Sequence, residues 1–448
     1  MRRAFLSLLL ATTPTLAATP NFIVILADDM GYADLSCYGN DRYTTPHLDQ
    51  LAAEGLRFTD FHSNGTVCSP TRAALLTGRY PQRTGVDTVV FADPARGLRE
   101  THGLPPEEIT FAELLRPRGY ATAIMGKWHL GYVEKFNPIH QGFDRFRGYV
   151  SGNVDFQSHI DQADFQDWWQ DLELKDEPGY TTHLINRHAL DFIRQHRQQP
   201  FCLYVPHEAP HAPYQGPTDP PVRGPDAQPP LRGAEIQRAY REMVQAVDDG
   251  VGQIVALLRE LQIERQTLVF FMSDNGGTKE ANNGPLHGTK GTPWEGGHRV
   301  PAIAWWPGTI AAGETSTTAL SMDLLPTLAE LADTPLPNDV PLDGTSLAGL
   351  LQRGDPLPER TLFWGMNGQF AVREGPWKLV LDPRSTAAKS QGKTQGKSRT
   401  EATPPRLFRL DQDLAESTDL SASEPEKTAA LLQKLDLWKA ITARPLAP

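Results

Sequence analysis

The stretch NFIVILADD, residues 21–29, decides the fold class, because a continuous apolar run ends abruptly in two carboxylates. Three later stretches share this design: GYATAIMGKWHLG (119–131), FCLYVPHEAPHAP (201–213) and TLVFFMSDNGG (267–277). Apolar runs of this kind are typical of strands buried on both faces. Helical patterns lie between them: PHLDQLAAEG, FAELLRPRG, THLINRHALDFIRQH and the long segment 233–262. The alternation predicts an α/β fold, with a large, mostly parallel sheet sandwiched by helices.

All four predicted strands carry their polar residues at the carboxyl end, which is where ligands bind in parallel sheets. Asp28 and Asp29 follow the first strand, and Asp274 and Asn275 follow the last. If these two strands are neighbours, four hard oxygen donors converge, and such a set suits Ca²⁺ or Mg²⁺. Acidic residues can instead cap helices or lie in turns. Two such pairs at matching strand ends favour the metal site.

The other strand ends carry cations and histidines. Lys127 and His129 follow the second strand, and His207 and His211 follow the third. The residues alone do not choose between His207 and His211. Lys290 lies in the glycine-rich stretch GPLHGTKGTPWEGG, residues 284–297. Each of these side chains would, by itself, more often be a surface or structural residue, but their common position at strand ends favours a shared site.

The stretch TVCSPTRAALLTG, residues 66–78, places a cysteine at the start of a predicted helix. Pro70 is typical of the first turn of a helix, so Cys68 lies at the positive end of the helix dipole. Arg72 lies four residues later on the same helical face. This arrangement predicts an anion bound beside residue 68. The alternative is a buried structural cysteine next to a solvent-facing arginine.

These stretches resemble the signatures of the type I sulfatases, which belong to the alkaline phosphatase superfamily. The C-x-P-x-R pattern at Cys68, GKWHLG, LADDMGYADLSCYG, SDNGG and the APHAP run stand in family order, over about residues 20 to 380. The arrangement is most similar to the arylsulfatase A and N-acetylgalactosamine-6-sulfatase branch. The resemblance implies an alkaline phosphatase-like fold and oxidation of Cys68 to Cα-formylglycine. It also implies one Ca²⁺ ion, held by Asp28, Asp29, Asp274, Asn275 and the oxygen of the modified residue 68.

The resemblance also implies the roles of the remaining site residues in sulfate ester hydrolysis. A hydroxyl of the hydrated aldehyde attacks sulfur, with Arg72 and Lys127 on the hydrate. Lys127, Lys290 and His211 grip the sulfate oxygens, and His211 or Lys290 protonates the departing alcohol. His129 then takes the proton from the second hydroxyl, so that sulfate leaves and the aldehyde returns.

Two histidines depart from the family pattern: His287 stands where arginine is common, and His298 lies inside the EGG-x-R block. We expect both to bear on the sugar contact. The polar and aromatic segment 150–180 is long enough to be a functional loop. Within it, Trp168 and Trp169 would either stack on a sugar ring or pack in the core.

Export is predicted from residues 1–18, where two arginines precede a short apolar run and small residues. The expected location is periplasmic or secreted, with no membrane span. The remaining chain divides into a catalytic domain, 19–340, and a C-terminal α+β subdomain with an antiparallel sheet and a closing helix, 341–448. Three cysteines do not make a disulfide framework. The net charge of −11 argues against binding to nucleic acid.

The function predicted from these patterns is an exported, exo-acting sulfatase of sulfated carbohydrates, with galactose or N-acetylgalactosamine sulfate as the first choice. Its partners would be a small sulfated sugar and the formylglycine-generating machinery. Two alternatives stay open at this point. One is a phosphomonoesterase or phosphodiesterase of the same superfold. The other is a secreted glycan-binding protein without catalysis, which would follow if Cys68 is not oxidised.

Overall fold

The structure is a computed structural model, and it describes residues 19–91, 97–383 and 404–443. The predicted signal peptide, residues 1–18, lies outside the described residues, as does most of the basic, low-complexity segment 384–405. Within the described part of the chain, no helix is both long and apolar enough to cross a membrane.

The strands fall into a ten-stranded sheet, a four-stranded sheet and a short two-stranded pair. In chain order they are β1 (Asn21–Ala27), β2 (Leu56–Phe58), β3 (Phe61–His62), β4 (Ala121–Lys127), β5 (Arg145–Tyr149), β6 (Trp169–Gln170), β7 (Glu173–Leu174), β8 (Phe201–Pro206), β9 (Thr267–Ser273), β10 (Ala302–Trp305), β11 (Gly313–Thr315), β12 (Ala319–Leu320), β13 (Thr361–Met366), β14 (Gln369–Glu374), β15 (Trp377–Leu381) and β16 (Arg406–Arg409). The four strands predicted from the quoted stretches are β1, β4, β8 and β9, and all four are fully buried.

The helices flank the large sheet or pack on the smaller one. In chain order they are α1 (Pro46–Glu54), α2 (Cys68–Thr77), α3 (Pro81–Thr84), α4 (Phe111–Leu115), α5 (Thr181–His196), α6 (Ala234–Glu260), α7 (Glu295–His298), α8 (Leu324–Leu331), α9 (Ala348–Arg353) and α10 (Pro425–Thr442). The helical patterns of the sequence correspond to α1, α4, α5 and α6.

The large sheet has the spatial order β11-β2-β10-β9-β1-β8-β4-β5-β6-β7. Its five central strands, β9, β1, β8, β4 and β5, are parallel. Strand β10 runs antiparallel to both of its neighbours, and β6 runs antiparallel to β5. The predicted fold class is confirmed: a large, mostly parallel sheet between helices, with a small antiparallel sheet towards the C-terminus.

Two apolar cores lie on opposite faces of the large sheet. One contains side chains of α1, α5 and α6, and the other contains side chains of α2, α4, α8 and α9. A third core joins β13–β16 and α10 to the outer side of α2 through Ala74. Because Leu347, Leu350 and Leu351 pack in the core of the large sheet, the chain crosses to the small sheet only after α9. The domain boundary at residue 340 stays a prediction.

Candidate active site

The pairing of β1 with β9 brings the acidic strand ends together. Ala27 pairs with Ser273, so the residues that follow each strand emerge side by side at one edge of the sheet. The backbone N–H of Asp29 donates to Asp274 Oδ1 (3.2 Å), and Asn275 Nδ2 donates to Asp29 Oδ1 (2.8 Å). The strands are therefore neighbours, as the metal-site hypothesis requires.

The backbone at Asp29 allows two successive carboxylates to serve one site. Its φ of 64° lies in the left-handed region, which is uncommon for residues other than glycine. Asp28 Oδ1 lies 3.3 Å from Cys68 Sγ, and Asp28 Oδ2 lies 3.2 Å from an Arg72 nitrogen. The Asp29 carboxylate instead contacts Asn275 and Lys290. The turn thus directs the two side chains to different partners around one centre.

Helix α2 begins at Cys68, whose side chain is 2% exposed. One turn later, Arg72 is completely buried beneath the site. Its Nη2 donates to Asp28 Oδ2 (3.2 Å) and to Asp274 Oδ2 (3.0 Å), and its Nη1 donates to the carbonyl oxygen of Lys127 (2.9 Å). The alternative with a solvent-facing arginine is wrong, because Arg72 holds two strand-end carboxylates.

Two lysines complete the charge balance around Cys68. The Nζ of Lys127, at the end of β4, contacts Asp28 Oδ2. The Nζ of Lys290 lies 2.8 Å from Asp29 Oδ2 and 3.5 Å from Cys68 Sγ. Both lysines keep a raised pKa: burial alone would lower it, but the Asp28 charge acts on Lys127 and the Asp29 charge on Lys290. Both therefore place positive charge beside residue 68.

Of the three candidate histidines, His211 and His129 lie at the site, and His207 is buried away from it. His211 Nε2 lies 3.6 Å from Asp29 Oδ2. His129 Nε2 bonds the carbonyl oxygen of Val90 (3.0 Å), and its Nδ1 is buried without a hydrogen-bond partner among the described residues. His207 is fully buried, and neither ring nitrogen has a partner there. The structure thus separates the two candidates of the third strand end and places His211 at the acidic cluster.

The carboxylates at the two strand ends have opposite pKa shifts. Burial would raise the pKa of Asp28, but Lys127, His211 and Arg72 hold it well below the usual range. Burial and the nearby Asp28 charge raise the pKa of Asp274 to about 7. A cation placed between these carboxylates would relieve that repulsion.

The donor set fits a hard divalent cation. The Oδ1 of Asn275 is buried and accepts no hydrogen bond within the described part of the chain. Ligand atoms of Asp28, Asp29, Cys68 and His211 all lie within 4.8 Å of one another. Carboxylate and amide oxygens are the ligands that Ca²⁺ and Mg²⁺ prefer. An unpartnered amide oxygen next to three carboxylates is what a site for such an ion needs.

His298 does not bear on the sugar contact, and this expectation was wrong. It is fully buried, stacks on Trp364 (ring centroids 4.1 Å apart) and therefore cannot reach a substrate. His287 is exposed and stacks on Trp294 at 4.2 Å. Trp168 is fully buried, with Nε1 donating to a glutamate, so core packing is its role.

Trp169 is partly exposed on β6, and its Nε1 donates to Asp167 (2.6 Å).

Sequence reasoning missed Val90, which orients His129 through a backbone carbonyl that no side-chain pattern reveals. It also missed Glu208, within the quoted run 201–213. The Oε1 of Glu208 accepts the N–H of Val154 and so ties segment 150–180 to the end of β8.

Comparisons with known proteins place this geometry in a family. The sulfatase family model matches residues 20–334. The chain is 37% identical to arylsulfatase A of Homo sapiens over 480 residues, which cover 98% of this chain and 91% of the relative. It is 39% identical to N-acetylgalactosamine-6-sulfatase of Rattus norvegicus over 386 residues, 81% of this chain and 71% of the relative.

Solved structures show the same architecture. The crystal structure of Ps i-CgsB in complex with k-i-k-neocarrahexaose superposes with a TM-score of 0.80 at 29% identity, over 94% of this chain and 92% of the other. PsFucS1 sulfatase from Pseudoalteromonas sp. gives a TM-score of 0.77 at 25% identity, over 96% and 92%. With the strand-end cluster in place and the match spanning most of the chain, this protein belongs to the sulfatase family and is a sulfuric ester hydrolase.

Proposed function

We propose that this sulfatase is exported, is matured by oxidation of Cys68 to formylglycine, binds one Ca²⁺ and releases sulfate from the end of a sulfated carbohydrate. The observation that carries the proposal is the position of Cys68. Its Sγ lies between the carboxylate of Asp28, at 3.3 Å, and the ammonium of Lys290, at 3.5 Å. Residue 68 therefore faces both a cation site and an anion-binding group.

The state of residue 68 decides the chemistry available to it. As a thiol, Cys68 is a poor nucleophile here, because burial and the charge of Asp28 raise its pKa. Formylglycine would supply an aldehyde whose hydrate has one hydroxyl to attack sulfur and a second to expel the sulfate. The three cysteines are free thiols in the structure, so Cys68 is not consumed by a disulfide.

The oxygen donors would hold Ca²⁺: Asp28, Asp29, Asp274 and Asn275, with the oxygen of modified residue 68. When bound, the ion would neutralise sulfate charge and lower the pKa of an attacking hydroxyl. Arg72 supports this donor set from below, because one guanidinium nitrogen contacts carboxylates from both strand ends. It thereby fixes the separation of Asp28 from Asp274.

The cations beside residue 68 would bind the sulfate and move protons. Lys127 and Lys290 present ammonium groups to anionic oxygens, which are stabilised most as charge develops in the transition state. His211 or Lys290 would protonate the departing alcohol. The unpartnered, buried Nδ1 of His129 is suited to take a proton, since Nε2 is already engaged by Val90.

An exo-acting carbohydrate sulfatase is the specific form we propose, with galactose or N-acetylgalactosamine sulfate as substrate. Segment 150–180 lies beside His129, which follows β4: a methyl group added at Gly152 would lie 2.8 Å from His129 Nε2. This segment would form one side of the site and close it into a pocket, which admits the end of a carbohydrate chain and not its interior. The similarity to an N-acetylgalactosamine-6-sulfatase supports the choice of sugar.

Two measurements test the maturation and the reaction. Peptide mass spectrometry at residue 68 of protein recovered from its exporting host should show loss of sulfur and gain of an aldehyde. Assays of matched sulfate and phosphate esters should show faster hydrolysis of the sulfate. An unmodified thiol in fully active enzyme would refute the formylglycine proposal, and preference for phosphate would favour a phosphoesterase.

The substrate is tested with mono- and disaccharides sulfated at single known positions, offered beside an intact sulfated polymer. We expect free sulfate to appear faster from terminal galactose or N-acetylgalactosamine units than from interior units. Faster release from the polymer interior would overturn exo action. Activity only on glucosamine sulfates would overturn the choice of sugar and leave the sulfatase assignment intact.

A further inference from the structure

A second buried polar cluster lies where the C-terminal sheet meets helix α7. We call it the junction cluster, and it comprises Asp60, His62, Glu295, His298, Arg373, Lys378 and Glu416. At its centre the Nζ of Lys378, on β15, lies 2.9 Å from Glu295 Oε1, 2.9 Å from Glu416 Oε1 and 3.1 Å from His298 Nε2. The Lys378 side chain is completely buried.

The junction cluster contains metal-ligating residue types but is already occupied by protein cations. His62, Glu295 and His298 place ligand atoms within 4.8 Å of one another. However, Lys378 Nζ lies on Glu295 and His298, and an Arg373 nitrogen lies 3.1 Å from His62 Nε2. A divalent ion there would face two buried positive charges, so the cluster serves as an ion-pair network.

Helix α7 connects this cluster to the active site by close backbone contacts. It follows the loop 284–294, which carries Lys290. The N–H of Gly296 donates to the carbonyl oxygen of His287 (2.7 Å), and the N–H of Gly276 donates to that of Gly297 (3.0 Å). A methyl group added at Gly276 would lie 1.9 Å from the carbonyl oxygen of Gly296. The helix therefore cannot shift without moving the residue that follows Asn275.

The loop is fastened at the active-site end as well. The N–H of Lys290 donates to the carbonyl oxygen of Gly277 (3.0 Å). The backbone of Lys290 is therefore bonded to the turn that follows Asp274 and Asn275. A methyl group added at Gly297 would lie 2.0 Å from the carbonyl oxygen of Thr292. Loop 284–294, α7 and the 275–277 turn are thus packed as one unit. On its outer side this unit meets Lys378 and Glu416.

We propose that Lys378 is a positioning residue of the C-terminal sheet, which fixes α7 and thereby holds the Lys290 ammonium at the sulfate-binding position. Glu416 assists, because its Oε2 accepts the N–H of Glu295 (2.7 Å) while its other oxygen contacts Lys378. The role of Lys290 in this inference rests on the proposed function. In this proposal, the C-terminal sheet contributes to sulfate binding by positioning Lys290.

The test compares Lys378→Met with Lys290→Ala and with the double variant, in the full chain loaded with Ca²⁺. Calorimetric titration with inorganic sulfate should show about tenfold weaker binding for each single variant, the loss expected for one charge-assisted hydrogen bond. The double variant should bind no more weakly than Lys290→Ala, because both changes remove the same contact. With an aryl sulfate, Lys378→Met should change kcat and KM in the same proportion as Lys290→Ala does, because both variants lose the same ammonium contact.

Leu435→Ala is the matched control, since Leu435 is fully buried on α10 in the same third core and has no hydrogen bond to α7. It should lower stability and leave sulfate affinity unchanged. Unchanged affinity in folded Lys378→Met, multiplying losses in the double variant, or an equal loss in Leu435→Ala would each overturn the inference. If Lys378→Met does not fold, Glu416→Gln replaces it, with about threefold weaker sulfate binding expected and wild-type affinity overturning the inference.

Failure of the proposed function is separable from failure of this inference. A wild-type chain that neither binds nor releases sulfate would refute the function alone. Hydrogen exchange would then test the positioning, because Lys378→Met should speed exchange of the amides in 284–297 relative to Leu435→Ala. Equal protection of that segment in wild type and Lys378→Met would overturn the inference.

Discussion

The active site and the junction cluster are both buried, both charged and both rich in metal-ligating side chains, yet they are built for different tasks. In the junction cluster, Arg373 and Lys378 sit directly on the acidic groups and histidines. The active site also has protein cations on its carboxylates, but it keeps acceptors open at Asn275 Oδ1 and His129 Nδ1. The difference teaches that ligand types alone do not define a metal site. What matters is whether a buried acceptor is left without a protein cation: Glu416 Oε1 accepts no hydrogen bond either, but it lies 2.9 Å from the Lys378 ammonium.

The largest expected loss of activity is at Cys68, and no substitution in the junction cluster should match it. Cys68→Ala should lower kcat for an aryl sulfate by about 10⁴-fold or more, since it removes the reacting group itself. Circular dichroism and the urea midpoint should stay close to wild type. Cys37→Ala is the control and should retain activity, because Cys37 lies outside the strand-end cluster. Multiple turnover by Cys68→Ala at a rate close to that of the wild type would contradict the mechanism.

Removal of calcium should affect one cluster and not the other. Ca²⁺ at about 100 times its Kd should raise the free energy of unfolding of the wild type by about 2.7 kcal/mol. Asp274→Asn should abolish this increment together with activity, because it removes a carboxylate from the donor set. Glu295→Gln should retain the increment although the variant is less stable. Calcium-dependent stabilisation lost in Glu295→Gln and kept in Asp274→Asn would reverse our assignment.

The junction cluster should instead show its importance in stability. Asp60 accepts from Arg373 at 2.8 and 2.7 Å and contacts His62 Nε2 at 2.9 Å. Asp60→Asn should lower the free energy of unfolding by about 3–5 kcal/mol, because it leaves buried cations unpaired. Urea titration at neutral pH measures this. Asp436→Asn, in an exposed pair, is the control and should change little.

The same aspartate gives a pH signature. Burial would raise the pKa of Asp60, but His62, Arg299 and Arg373 hold it well below its usual range. A depressed folded pKa means that the unfolded chain takes up the proton first, so the stabilisation is complete above pH about 4 and is lost as pH falls further. The difference between wild type and Asp60→Asn should therefore shrink below pH about 4. A constant difference from pH 6 to 3 would contradict this.

The smallest effect is expected at an exposed charge pair between helix α10 and the C-terminal sheet. Lys434 contacts Glu374, and both side chains are more than a third exposed. Lys434→Ala should change the free energy of unfolding by less than about 1 kcal/mol and leave activity unchanged, because solvent screens such pairs. A loss of unfolding free energy as large as that of Asp60→Asn would show that burial does not determine how much these ion pairs contribute to stability.

Much of the fold and the acidic centre was predictable, because both follow from where apolar runs stop. The two stretches ending in Asp28 and Asp274 are buried parallel neighbours, so their carboxylates had to meet. The direction of β10 was not predictable from apolar content. Residues 274–301, between β9 and β10, form a loop and the four-residue α7 and not a crossover helix, and β10 runs antiparallel to β9.

The positions of single side chains were harder to predict. His298 has the residue type and spacing of a substrate contact, but the C-terminal sheet covers it, and that packing depends on contacts far along the chain. Arg72 was placed on the correct helical face, yet its burial beneath both carboxylates requires the three-dimensional arrangement of β1 and β9. Backbone groups such as the Val90 carbonyl carry no signal in side-chain chemistry.

Strand β1 lies between β8 and β9 in the large sheet, and this position determines when during synthesis the site can form. Its two neighbours, β8 and β9, are encoded about 180 and 245 residues later, as the Asn21–Phe201 and Asp29–Asp274 bonds show. At roughly 5–20 residues per second, a ribosome needs about 10–40 s to reach the first of them. Until then the strand bearing Asp28 and Asp29 has no partner on either side. The buried strand β1 therefore stays unpaired until β8 is made, and the carboxylates of Asp28 and Asp29 meet that of Asp274 only once β9 is made.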